Sequence, residues 1–71
     1  PGKVYQMWTL AKGATKVAPS VTFVPDRTGN ALVAVPADPA TTAETAISVE
    51  PTGGSKQPTT KPIAIIPIQN G

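Results

Sequence analysis

The chain has 71 residues, among them nine Pro, six Gly, no Cys and no His, and a net charge of +2 from six Lys and Arg against four Asp and Glu. That length allows one small domain spanning residues 1–71. The missing Cys excludes disulfides, thiol chemistry and Cys-ligated zinc; the missing His excludes His-based triads and the commonest metal ligand. With 39% hydrophobic residues and three aromatics, the core has to be thin.

Proline spacing decides the elements first, since a Pro inside a helix costs about 3 kcal/mol. Only residues 2–18 and 40–50 run free of Pro for more than ten positions. Residues 3–10 (KVYQMWTL) alternate: Val4, Gln6, Trp8 and Leu10 share one face, Lys3, Tyr5, Met7 and Thr9 the other. Both faces carry bulky groups, so the segment reads as a central strand with partial cover on each side. Gly13 marks a turn within residues 11–15. Residues 16–24 (KVAPSVTFV) form a second strand, in which Pro19 signals an edge or a bulge.

Residues 25–30 (PDRTGN) read as a hairpin loop: Pro25 fixes φ, Asp26 bonds its own backbone two residues on, and Gly29 or Asn30 takes positive φ. Residues 31–35 (ALVAV) are its return strand, ended by Pro36. Residues 37–45 read as a polar crossover with room for one helical turn after Pro39. Residues 46–50 (AISVE) are a short strand with Ile47 and Val49 inward; a weak helix over 40–50 is the alternative, disfavoured by its Thr and β-branched content. Residues 51–61 (PTGGSKQPTTK) contain no hydrophobe and form a loop, expected to be ordered at its start and mobile afterwards. Residues 62–68 (PIAIIPI) are the last strand, with Pro67 at an edge or its end, and residues 69–71 are a tail. About five strands with a turn signal every 10–15 residues indicate an all-β fold, a small antiparallel Ig-like sandwich.

Few residues offer chemistry. Lys3, Lys12, Lys16, Arg27, Lys56 and Lys61 are scattered rather than gathered on one face, which argues against nucleic-acid binding. The longest apolar stretch, 63–68, is far short of the roughly 20 residues a membrane helix needs, and no signal peptide is visible. A start at Pro1 without Met points to a processed product or a piece of a longer chain. Asp26 and Asp38 fall in turns, and a calcium site from Asp26, Asp38 or Glu44 lacks the dense carboxylate loop such sites use. Ser55 beside Lys56 suggests a Ser–Lys nucleophile but has no ordered oxyanion hole. The Thr-Gly-Gly-Ser run at 52–55 lacks the Gly-Lys-Ser/Thr pattern of a phosphate cradle. Trp8 and Tyr5 lie on opposite faces and cannot stack on one sugar, so Trp8 reads as the core anchor. No catalytic residue, metal or cofactor is expected.

Three segments together resemble one family. The VYQMW run at 4–8 is similar to the Tyr-Gln-Leu-Trp strand of the anti-sigma-K factor C-terminal domain (RskA type). Residues 21–38 (VTFVPDRTGNALVAVPAD) resemble its following hairpin, and residues 47–59 (ISVEPTGGSKQPT) its Val-Thr-x-Glu-Pro-x-Gly-Gly-Ser-x-x-Pro-Thr signature. Order and spacing agree from about residue 2 to 68. The motif residues are Tyr5, Gln6, Trp8, Pro25, Asp26, Gly29, Glu50, Pro51, Gly53 and Gly54. Structural roles are expected for them: Trp8 fills the sandwich, Gly53 and Gly54 permit positive φ, and Glu50, held extended by Pro51, accepts backbone N–H bonds from the turn at 53–55.

The resemblance implies the outer domain of a bacterial single-pass membrane regulator. A cytoplasmic segment would hold an extracytoplasmic-function sigma factor inactive, and stepwise proteolysis would release it; the sigma-binding segment and the membrane helix are not in these 71 residues. Family domains carry further strands upstream of the Tyr-Gln-x-Trp strand. Without them, the first strand or its neighbour has an unpaired edge, and strand pairing with the upstream piece or a second copy is expected. The rival reading is an Ig-like adhesion or glycan-binding module of an exported protein.

Overall fold

The computed structural model describes residues 2–31 and 37–68. Four antiparallel strands form one sheet: β1 (Lys3–Ala11), β2 (Ala18–Phe23), β3 (Thr42–Pro51) and β4 (Ala64–Pro67), in the order β2-β1-β3-β4. The all-β class holds, and among the described residues no helix is long and apolar enough to cross a membrane. Of the expected strand at 31–35, Ala31 is exposed and outside any strand; residues 32–35, the stop at Pro36 and the tail at 69–71 fall outside the described residues.

β1 is central, as its two bulky faces require. It pairs with β3 along its whole length, from Lys3 opposite Pro51 to Ala11 opposite Thr42, and with β2 from Tyr5 opposite Phe23 to Thr9 opposite Ala18. Both of its edges are filled, so among the described residues the outer strands of the sheet are β2 and β4. Each carries a proline. In β2, outermost among the described residues, the register shifts between Gln6 and Trp8, beside Pro19, so the strand is bulged there. In β4 the Ile68 N–H donates to the Ala43 C=O at 3.0 Å. Given the register of Thr45 with Ile66 and Ile47 with Ala64, Ile66 and Ala64 then turn their backbone groups to β3, and Ile65 and Pro67 turn theirs outward. The absent N–H of Pro67 therefore costs no ladder bond and blunts the edge.

The crossover and the strand after it depart from expectation. Only a turn occupies 38–41: Asp38 Oδ1 accepts the Ala40 N–H at 2.9 Å, and its C=O accepts the N–H of Thr41 and Thr42 at 3.0 and 2.9 Å. β3 starts at Thr42, four residues before the expected strand, and the helical alternative for 40–50 is excluded. Thr42 and Thr45 are β-branched and suit a pleated surface better than a crossover. The inward face is also the opposite one. Ala46, Ser48 and Glu50 are buried, while Ile47 and Val49 are half-buried on the other side. Among the described residues, the buried apolar side chains are Met7, Trp8 and Ala46; the buried polar ones are Gln6, Thr42, Thr45, Ser48 and Glu50. Buried polar groups of this number have to be held by hydrogen bonds.

Candidate functional site

Strand alternation and register assemble the site. Gln6 and Trp8 share one face of β1; Ala46, Ser48 and Glu50 share the same face of β3, with Gln6 opposite Ser48 and Trp8 opposite Ala46. Trp8, Ser48 and Glu50 are fully buried. The indole N–H of Trp8 donates to Ser48 Oγ at 2.8 Å, and Ser48 Oγ donates to Glu50 Oε2 at 2.5 Å. The Thr59 hydroxyl donates to Glu50 Oε1 at 2.6 Å, and the Thr59 N–H reaches both carboxylate oxygens at 3.1 and 3.2 Å. A serine hydroxyl thus relays between an indole and a carboxylate, and a loop residue closes the far side.

The loop from 52 to 62 lies over this face as a strap. Gln6 grips it as one strand grips another: its Nε2 donates to the Ser55 C=O at 2.9 Å, and its Oε1 accepts the Ser55 N–H at 2.8 Å. The turn that launches the strap is closed by Gly54 N–H to Pro51 C=O, 2.9 Å. Gly54 has φ +82, and a Cβ there would sit 3.2 Å from both Gln6 Oε1 and Thr22 Cγ2, so conformation and space both demand glycine. Further along, Gln57 Nε2 donates to Val17 C=O at 3.1 Å and Thr60 Oγ1 to Val49 C=O at 2.8 Å. The strap is therefore anchored at both ends, not at its start alone.

Glu50 differs from expectation in its partners. The backbone N–H of Ser55 goes to Gln6, and the carboxylate takes Ser48 and Thr59 instead. Burial alone would push the Glu50 carboxyl up; hydrogen bonds from Ser48, Thr59 and the Ser55 hydroxyl outweigh it and bring the group down to about 2. Glu50 is thus an ionised carboxylate buried on hydroxyl and amide donors. The Ser48–Glu50 pair has the look of an activated nucleophile, but both members are fully buried and already engaged by Trp8 and Thr59, which leaves no approach for a substrate.

The remaining motif residues lie elsewhere. Tyr5 is on the opposite face, its ring 5.6 Å from that of Phe23. There Tyr5, Met7, Phe23, Pro25, Ile47 and Ile63 line an open apolar hollow. Asp26 does what its loop needs: its Oδ1 accepts from Thr28 N–H and Oγ1 and from Asn30 N–H at 2.7–3.0 Å, and Gly29 takes φ +84. The Thr28 hydroxyl and the Asn30 and Thr28 amides hold the Asp26 carboxyl below its usual range. Among the described residues, no group of three acidic side chains is placed to hold a metal ion. The sequence reading of the site missed Ser48 and Thr59. Ser48 carried a signal, a small hydroxyl two positions before Glu50 on the face that Trp8 fills.

The structure thus brings together Gln6 and Trp8 from one motif string and Glu50, Gly54, Ser55 and Thr59 from another, 40 or more residues apart, in one network. No curated protein and no solved structure matches the chain. The family model for the C-terminal region of anti-sigma-K factor RskA matches residues 1–63, and the chain belongs to that family.

Proposed function

We propose that this domain lies on the outer side of a bacterial cytoplasmic membrane and regulates, without catalysis, the release of a sigma factor bound by another segment of the same protein. The family match over residues 1–63 carries the reading. The buried network supports it: the polar groups that would be spent on a substrate in an enzyme are spent on fastening a strap to a sheet. In this reading the domain restrains proteolysis of its own protein while it is folded, and the proteases of that cascade are its partners. Because these 71 residues contain no Cys, a thiol introduced among them can report on topology as labelling above that of the unsubstituted protein. Lys12→Cys, in the exposed β1–β2 turn, should react with a membrane-impermeant maleimide in intact cells expressing the full-length protein. Reaction only after lysis would overturn the placement. Trp8→Ala in the same protein should raise transcription from the promoters of its sigma factor, and unchanged transcription would overturn the regulatory role.

A further inference from the structure

The strap and β4 are one continuous stretch, and they hold to the rest of the domain differently from the other strands. β1 and β3 share nine register pairs and contain Met7, Trp8 and Ala46, the buried apolar residues. β4 pairs over four residues only, Glu44–Ile47 against Ala64–Pro67, and its Ile65 and Ile66 are 59% and 47% exposed. The strap contributes hydrogen bonds at Ser55, Gln57, Thr59 and Thr60, while Lys56 between them is exposed. Segments with few buried apolar contacts open at lower free energy than the core, and they open as cooperative units.

We propose that residues 52–68 form a releasable clasp, which opens as a unit from a β1–β2–β3 sheet that stays folded, and that the Glu50–Thr59 contact is its bolt. Opening breaks the Gln6–Ser55 pair and the Glu50–Thr59 bonds and then unzips β4, starting where Ile63 N–H meets Ile47 C=O at 2.7 Å. It uncovers the face carrying Gln6, Trp8 and Glu50 and leaves Lys56 in an extended segment that a protease can enter. The bolt is a carboxylate that stays ionised through the physiological range, so ordinary pH changes do not work it; loss of its donors does. The regulatory meaning of the clasp rests on the function proposed above, whereas the clasp itself is a property of the fold.

Hydrogen exchange read by mass spectrometry on the full-length protein tests it directly. Glu50→Gln and Thr59→Val should each speed exchange across residues 52–68 by about tenfold or more, the scale of one lost charged hydrogen bond, with peptides from β1 and β2 unchanged. Thr59→Ser, which keeps the hydroxyl, should match the wild type, and Asp26→Ala, in the distant hairpin, should leave 52–68 unchanged. Tryptic cleavage after Lys56 should rise in step with exchange. Equal acceleration of β1 and β2 in Thr59→Val would mean global rather than local opening and would overturn the clasp, as would unaltered exchange over 52–68. Should Glu50→Gln unfold the whole domain, Thr59→Val decides alone, since it keeps the carboxylate and removes one hydroxyl. All of these readouts use purified protein, so they stand or fall apart from the labelling and transcription results.

Discussion

Trp8 is the residue on which the domain's stability should depend most. It has no exposed surface, and its indole N–H is bonded to Ser48. Replacing a buried Trp with Ala costs roughly 3–5 kcal/mol through lost transfer energy and the cavity left behind. Removing the N–H from Ser48 adds about 1 kcal/mol, because the serine hydroxyl must still face Glu50. A chain of this length has a total stability of about 4–11 kcal/mol at the usual value per residue. Trp8→Ala should therefore remove about half or more of that stability and bring the domain close to unfolding at room temperature. Trp8→Phe keeps most of the ring volume but loses the donor, and should cost about 1–3 kcal/mol. The assay is urea unfolding followed by circular dichroism. The wild type offers an internal check, since its one Trp should emit at short wavelength and resist acrylamide. A Trp8→Ala unfolding free energy within about 1 kcal/mol of the wild type would refute the reasoning, because among the described residues Trp8 is the largest fully buried side chain.

Other consequences are sharper in direction than in size. Gly54→Ala should destabilise more than Gly53→Ala: both force positive φ, at roughly 1–2 kcal/mol, but only Gly54 has Gln6 and Thr22 within 3.2 Å of the new Cβ; equal melting temperatures would contradict the packing. Glu50 is held at about 2 in the fold, below the unfolded carboxyl, so its contribution is fully present above about pH 4.5 and lost as pH falls toward 2. The urea midpoint should drop more steeply over that window in the wild type than in Glu50→Gln, and parallel slopes would reject the assignment, since Asp26 titrates in both. Pro67→Ala should change stability by less than about 0.5 kcal/mol, whereas Ile66→Pro removes an inward donor and should cost about 3 kcal/mol; comparable melting shifts would show that the β4 ladder faces the other way.

The break points and the central place of the first strand were readable because Pro and Gly punctuate this chain so densely. Alternation from Lys3 to Leu10 put β1 at the centre, Pro19 pointed to an edge or a bulge, Pro67 to an edge or the strand's end, and Asp26 with Gly29 or Asn30 to the hairpin loop, in which Gly29 takes the positive φ. The start of β3 was hidden because residues 37–45 are small and polar, and composition alone makes such a stretch a loop. Pairing with β1 overrides that preference: Thr42 lies opposite Ala11 and Thr45 opposite Thr9, and both are buried. The inward face of β3 was misjudged for a related reason. Ile47 and Val49 outrank Ala46, Ser48 and Glu50 on any hydrophobicity scale, yet the latter three lie on the side of Trp8. Hydropathy ranks residues one at a time, whereas burial here is decided by which face the strap closes.

That closing also explains why a carboxylate occupies the interior beside Trp8. Replacing Glu50 with a hydrophobe could strengthen burial, since buried charges seldom add net stability. An apolar side chain, however, would accept a strap in any register. Glu50 and Gln6 do not: one needs a hydroxyl and an N–H from a single residue, the other an N–H and a C=O from a single residue. Ser55 and Thr59, four positions apart, meet those demands together; a one-residue slip one way would put Pro58, which has neither a hydroxyl nor an N–H, on Glu50, and a slip the other way would put Thr60 there at the cost of its bond to Val49. With Pro58 fixing the backbone between them, the two anchors select one placement of the strap. The same bonds that confer this selectivity are directional, so once the partner geometry is lost they give no residual attraction, which is the behaviour expected of a fastening that is either closed or open.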